Sequence, residues 1–320
     1  MLHKAERSED LTVTKAHKIE PYPFGLFSVA SVSEYTEAQD HWARYTAHEY
    51  NSAAFRSTLL SIFDATSYTM YNGIGLPRFL EYIPFGIEVE DYASTFGIVA
   101  QDRFKRALNI LEAATQKAVE RELWEGDSAK IGDGTSGSPN ANDNNYLTKS
   151  GAATDVTSVV ADGDNTRLAL ANLEAALASC PLGQRGTIHM THKTASILSG
   201  MGLIQRIDFL ARMDKSDVNE KSQAMVTLLG TPVIIGAGYT GNGPVGNTYA
   251  DATDTTEWMF GTGYVDVHLG AATVINEDLA RAVAPNTNDA HIRAARTAAV
   301  HFEPCCHYAV RVDLSSINNF

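Results

Sequence analysis

Between Ala100 and Glu125 the apolar residues fall into a helical rhythm that constrains the rest of the chain more than any other feature. Phe104, Ala107, Leu108, Leu111, Ala114 and Ala118 recur at three- and four-residue steps or side by side, and Val119 and Leu123 add one more four-residue step. The pattern predicts a single helix over 100–125, stopped by Gly126 after Trp124 and Glu125. At about 1.5 Å per residue it would run close to 40 Å, long enough to serve as a spine. An ordinary core helix carries the same pattern, so the periodicity alone does not separate the two.

Ahead of this helix the chain reads as extended. Residues 1–20 are charged and unpatterned, like an arm that orders on contact with a partner. Residues 56–90 alternate in strand fashion around a turn-rich stretch, Tyr71-Asn72-Gly73-Ile74-Gly75-Leu76-Pro77, which is the predicted tip of a projecting hairpin. Phe79, Tyr82, Ile83, Phe85, Ile87 and Val89 form its second extended segment, broken by Pro84. So many aromatics on a projecting hairpin are poorly buried within one subunit, which points to a neighbour. Tyr68, Met70, Tyr71, Phe79, Tyr82 and Phe85 are the subunit-contact candidates.

Behind the helix, Gly, Ser, Asn and Asp dominate residues 126–166, a loop with at most short strands. Its Ala161-Asp162-Gly163-Asp164-Asn165 piece lacks the spaced acids and terminal Glu of a calcium loop. Mixed α/β patterning follows. A helix is predicted over Asp164–Ser179, a strand over Gly186–Met190, and a helix capped by Thr191 and ending at Gly200. Pro232–Ile235, Trp258–Gly263 and Tyr264–Leu269 read as strands. The C-terminal stretch alternates, with Tyr308, Val310, Val312 and Leu314 on one face and His307, Ala309, Arg311 and Asp313 on the other.

Composition excludes several classes. A chain of 320 residues that is 44% hydrophobic can bury a full core in one large domain or two smaller ones. A formal charge of -13 argues against a nucleic-acid binder, which needs excess cations to displace phosphate counterions. The densest basic cluster, Arg103-Phe104-Lys105-Arg106, is balanced by Glu112, Glu120 and Glu122 on the same helix. No stretch has the length of a membrane span, and the charged N-terminus lacks the apolar run of a secretion signal. Three cysteines do not make a disulfide framework, so the sequence predicts a soluble protein made in a reducing compartment.

The candidate chemistry is thin. Gly236-x-Gly238-x-x-Gly241 has the spacing of a dinucleotide fingerprint, but Asn242-Gly243-Pro244-Val245-Gly246 cannot open the helix that would hold the phosphate. A glycine-rich loop between strands is the better reading. His189 and His192 straddle a strand end and a helix start, without the intervening Glu of a zinc protease. His301, Cys305, Cys306 and His307 are close in sequence, yet adjacent cysteines on an extended chain point to opposite faces. There is no Gly-x-Ser-x-Gly elbow and no phosphate loop ending in Gly-Lys-Ser/Thr. No enzyme class, cofactor or metal emerges.

The order of parts (arm, hairpin, long helix, glycine-rich loop, compact α/β unit, paired closing strands) resembles the major capsid proteins of tailed double-stranded DNA phages. These share the Hong Kong 97-type fold. PFGIEVEDYASTFG at 84–97 followed by AVERELWEGD at 118–127 resembles the strand and spine-helix junction of an actinophage-like subgroup. LGTPVIIGAGYTGNGP and WMFGTGYVDVHLG resemble the core strands of its axial domain, and HIRAARTAAVHFEPCCHYAVRVDL at 291–314 its closing strands. The resemblance implies an α+β fold with an N-terminal arm and lead-in (1–50), an extended hairpin loop (51–92) and a peripheral domain with the spine helix (93–163). An axial α/β domain (164–287) and closing strands (288–320) complete it.

The resemblance further implies no enzymatic activity and no cofactor. The chain would form pentamers and hexamers that tile an icosahedral shell, with weak contacts summed over many subunits. Arm and hairpin would lie across neighbours, and an acidic lining would enclose double-stranded DNA without gripping it. Implied partners are further copies of the chain, a separate scaffolding protein, a portal and a decoration protein, with no membrane; assembly would occur in the bacterial cytoplasm. The chain ahead of the spine is short and includes the hairpin, so the resemblance implies a scaffold that is supplied by another protein or was removed. No lysine lies between Lys18 and Lys105, so a hairpin amine cross-link is not expected. Three alternatives stand beside it, one of them a phage structural protein other than the capsid, which the spine helix and axial-type core fit less well. An encapsulin-like nanocompartment predicts small DNA-free shells holding a cargo peptide, and a cytosolic α/β enzyme predicts a small oligomer with bound metal or nucleotide.

Overall fold

The computed structural model describes residues 22–34, 45–48, 55–58, 68–71, 79–82, 84–94, 100–126, 146–180, 186–208, 223–275, 289–303 and 306–315. A short 3-10 turn, Leu26–Ser28, precedes strands β1 (Ser31–Glu34), β2 (Tyr45–His48), β3 (Phe55–Thr58), β4 (Tyr68–Tyr71), β5 (Phe79–Tyr82) and β6 (Phe85–Ser94). Helix α1 (Ala100–Glu125) follows, then β7 (Thr154–Asp155), β8 (Asp164–Asn165), α2 (Thr166–Ala178), β9 (Thr187–Met190) and α3 (His192–Gly200). The remainder is β10 (Ile204–Asp208), β11 (Gln223–Thr227), β12 (Pro232–Ile235), β13 (Thr256–Thr262), β14 (Val265–Leu269), β15 (Thr273–Val274), β16 (Asp289–Phe302) and β17 (Tyr308–Asp313).

Two sheets carry the fold. In the larger, the strands run β10-β11-β12-β9-β13-β17-β7, with β8 also on β17. In the smaller, the order is β1-β14-β16-β15, and the long β16 also pairs along its length with β6, from Asp289 opposite Ser94 to Ala298 opposite Phe85. The chain crosses between the sheets at β13→β14 and again at β16→β17.

The larger sheet is buried on both faces because its strands alternate between two apolar layers. Ile234, Trp258, Phe260 and Ala309 join the layer under α1, whereas Ile188, Met190, Val233, Ile235, Met259, Val310 and Val312 join the layer under α2 and α3. Burying each large side chain stabilises the fold by about 1.5–3 kcal/mol. The C-terminal alternation was therefore legible as a period, but its polar-looking face is also interior. Arg311, 7% exposed, donates to Val160 O at 3.1 Å and lies over the Tyr249 ring at 4.7 Å.

Helix α1 spans the predicted residues and buries Ala107, Leu111, Val119, Leu123 and Trp124 against both sheets. Gly126 stops it with φ 66, its N–H donating to Glu122 O at 2.9 Å. Thr191 caps α3 as expected, its side chain accepting from Thr194 N. Helix α2 starts two residues later than predicted, because Asn165 is its cap. The Asp164 carboxylate is buried and accepts from Ser158 N, Val159 N and Asn172 Nδ2.

Two sequence expectations are corrected. First, β2 pairs with β5 (Tyr45 opposite Tyr82) and β3 with β4 (Phe55 opposite Tyr71), both antiparallel. The chain therefore reverses between Thr58 and Tyr68, and the predicted tip lies outside the described residues from Asn72 to Pro77. Second, Cys180 and Cys306 form a disulfide across 126 residues. An odd count of cysteines excludes a complete framework but not a single pair. The predicted arm, residues 1–20, and residues 127–145 of the glycine-rich loop lie outside the described residues.

Candidate functional site

The segment from Pro232 to Gly246 leaves β12 and turns at Gly236, where Tyr239 N donates to Gly236 O at 3.4 Å. Gly241 and Gly246 take left-handed φ values of 83 and 89, which a side chain would strain. No helix follows Gly241, so the dinucleotide reading fails for the reason the sequence supplied.

The loop does hold an anion, and that anion belongs to the chain. Glu120 of α1, fully buried, receives Gly238 N on Oε2 at 3.0 Å. Its Oε1 receives Leu26 N at 2.9 Å and Gln116 Nε2 at 2.9 Å. Burial pushes the Glu120 carboxyl above its ordinary value, and the hydrogen bonds from Leu26, Gln116, Gly238 and Ala237 pull it partly back. A Cβ on Gly238 would sit 2.7 Å from Arg121 N, so glycine is needed for the loop to reach the helix backbone.

The third member of this junction is the lead-in strap. Tyr22 O accepts from Gln116 Nε2 at 3.3 Å, Phe24 O accepts from Ile235 N at 2.9 Å, and Leu26 is fully buried. A Cβ on Gly25 would lie 2.5 Å from Glu120 Oε1. Beyond it, β1 runs parallel to β14, Ser31 opposite Asp266. One carboxylate thus ties the N-terminal strap, the long helix and the glycine-rich loop together. Sequence reasoning placed Glu120 among the solvated charges of α1. Its place one helical turn from Gln116, among Ala118, Val119 and Leu123, was the available signal.

The histidine candidates do not converge on a metal. His189 Nδ1 meets the Tyr239 hydroxyl at 2.9 Å and Nε2 meets Thr262 Oγ1 at 2.8 Å, while the His192 ring packs on Tyr22 with centroids 4.3 Å apart. His301 Nε2 lies 3.3 Å from Asp266 Oδ2 and its ring stacks on His268. His307 turns into the core against Phe302, Cys306 bonds to Cys180, and Cys305 lies outside the described residues. Among the described residues no three His, Cys, Asp or Glu side chains stand together as a metal site. Burial lowers His189 to about 3, and His307 and His268 to about 4. His307 adds to the effect on His189, and His301 adds to that on His268.

Of the contact candidates, Tyr68, Met70 and Tyr71 lie on β4, and Phe79 and Tyr82 on β5. These strands pair only within the hairpin among the described residues. Phe85 differs. It is 6% exposed and packs in the layer under α1, so its ring is buried within its own chain.

The fold sets a long helix across a small sheet, with a larger sheet buried on both faces, an N-terminal strap and a self-paired hairpin. The fold is the Hong Kong 97-type capsid fold. The chain is similar to the capsid of an empty GTA particle, with 13% identity, 92% of each chain covered and a TM-score of 0.50. It also aligns with a structure of Gordonia phage Cozz at 13% identity, covering 89% of this chain and 85% of that one with a TM-score of 0.45. An encapsulin complex from Synechococcus elongatus aligns at 8% identity, covering 92% of this chain and 88% of that one with a TM-score of 0.45. No family model matches the sequence, and no curated protein matches it.

Proposed function

We propose that this chain is the major capsid protein of a tailed phage, a structural protein without enzymatic activity. It assembles as pentamers and hexamers into an icosahedral shell around double-stranded DNA. The observation that carries this reading is the capsid fold itself, matched over 92% of the chain. The hairpin, paired only with itself among the described residues, supports it. In this reading the hairpin and arm reach over neighbouring subunits, and Tyr68, Met70, Tyr71, Phe79 and Tyr82 make the contacts.

The smaller sheet with α1 acts as the peripheral domain, and the unit built on β9–β13, α2 and α3 acts as the axial domain. The Gly236–Gly246 loop is an internal brace of that arrangement. Scaffolding, portal and decoration proteins are supplied by other chains, and assembly takes place in the host cytoplasm. The net charge of -13 lets packaged DNA slide past the wall without tight binding.

Negative-stain microscopy of the purified protein, alone and coexpressed with neighbouring genes, tests the proposal. Closed polyhedral shells of phage-head size are the expected result. Small DNA-free shells holding a cargo protein would replace it with a nanocompartment, and a uniform small particle under both conditions would overturn it.

A further inference from the structure

Cys180 follows α2, and Cys306 stands between β16 and β17, with Cα atoms 5.7 Å apart. The two are 5% and 1% exposed and belong to the same apolar layer as Leu173, Leu177, Met259, Val310 and Val312. The end of α2 is seated closely on the sheet. A Cβ on Gly261 would lie within 3.1 Å of Leu177, and the Ser179 and Tyr308 hydroxyls approach to 3.5 Å. The bond therefore joins a helix end to the closing strand across 126 residues of intervening chain. Only the completed fold brings these sulfurs together.

We propose that this disulfide is a covalent staple added after synthesis. Cys180 and Cys306 are thiols while the chain is made and assembled in a reducing cytoplasm, and they are oxidised by a low-molecular-weight disulfide once the shell has left it. This timing rests on the capsid reading. In the first step the thiolate of Cys180, the less buried of the two residues, attacks the small disulfide, forming a mixed disulfide and releasing one small thiol. In the second, the Cys306 thiolate displaces the remaining small thiol and closes the bond. The two protein thiols are oxidised, one small disulfide is reduced to two thiols, and their protons pass to those products. Reducing cytosol keeps such pairs open. Burial makes closure slow in the folded chain and shields the finished bond from reductant. The staple holds α2 to β17 without altering the surface, so it stabilises each subunit independently of its contacts.

The test uses the full chain purified under reductant, half of it then treated with oxidised glutathione. Thiols are counted in denaturant, and unreduced peptides are mapped. The expected result is three thiols per chain before treatment and one after, with Cys180 linked to the Cys306 peptide. Cys305→Ser should fall from two to none, and Cys180→Ser should keep two. The oxidised chain should melt about 5 °C higher than the reduced chain. Retention of all three thiols, linkage through Cys305, a stable glutathione adduct, cross-links between chains or an unchanged melting point would each overturn the staple. These readings are made on the chain whether or not it forms shells, so failure of the capsid reading appears in microscopy alone.

Discussion

The Glu120 carboxylate, on the long helix, accepts the backbone N–H of Gly238 at 3.0 Å from a loop 118 residues further along the chain. Its other oxygen accepts the N–H of Leu26, in the strap. A motif spaced for a phosphate thus turns its amides toward a side chain of the same molecule. Because the N–H groups at Leu26 and Gly238 are interior, losing their acceptor leaves donors without partners, which costs about 1–3 kcal/mol for each group affected. Glu120→Gln would place an amide NH₂ against one of these donors. We expect it to lower stability by about 1–3 kcal/mol, and Glu120→Ala to lower it further. Urea denaturation at pH 7 measures both, and an unchanged midpoint would refute the brace.

Two glycine substitutions separate close approach from mere flexibility. Gly238→Ala drives a methyl group into the backbone of α1, which cannot step aside, and should cost about 1–3 kcal/mol. Gly86→Ala, in β6, meets nothing within 4 Å and should change stability by less than about 0.5 kcal/mol. Equal melting temperatures for the two variants would contradict the geometry.

Acid should loosen the fold before it reaches the carboxylate range. His189 and His307 have folded values near 3 and 4 against 6.5 when unfolded, so the unfolded chain takes up their protons first. Their stabilising contribution is complete above pH 6.5 and is lost as pH falls from there toward 4, at about 1.4 kcal/mol per pH unit for each histidine. Glu120 runs the opposite way. Its raised value means the folded chain holds that proton more tightly, a contribution present below 4.5 and lost as pH rises. Two histidines outweigh one carboxyl, so the urea midpoint should drop between pH 6.5 and 4.5. His189→Asn should flatten that slope even where its lost bonds to Tyr239 and Thr262 lower the whole curve.

The hairpin and the core should respond differently to truncation. Tyr68→Ala combined with Tyr71→Ala should leave the melting temperature of the unassembled chain within a few degrees and reduce shell yield. Phe85→Ala should destabilise the chain itself by about 3–5 kcal/mol through an interior cavity. Calorimetry paired with sedimentation separates the outcomes, and loss of folding in the tyrosine variant would move those residues into the core.

Shells should also come apart without a covalent ladder. No amine nucleophile lies between Lys18 and Lys105, where a hairpin cross-link would need one. Boiling assembled material in denaturant with reductant should return only monomer-sized protein on a gel, and higher bands surviving reduction would contradict this.

Local periodicity and capping were determined by the sequence alone. Helix α1 and its stop at Gly126, the Thr191 cap, strand β12 and the break at Pro84 all follow from residues close together in the chain, where backbone preference and a repeat of 3.6 or 2 are sufficient. What joins distant residues was decided only by tertiary structure. The reversal between Thr58 and Tyr68 depends on strand register. The Cys180–Cys306 bond, the burial of Arg311 and Phe85, and the capture of Glu120 by Leu26 and Gly238 depend on which faces meet. A charge reads as solvated, and a glycine-rich loop as a phosphate site, until packing sets the partner, because desolvation and hydrogen-bond pairing are properties of the assembled interior and leave no local period in the chain.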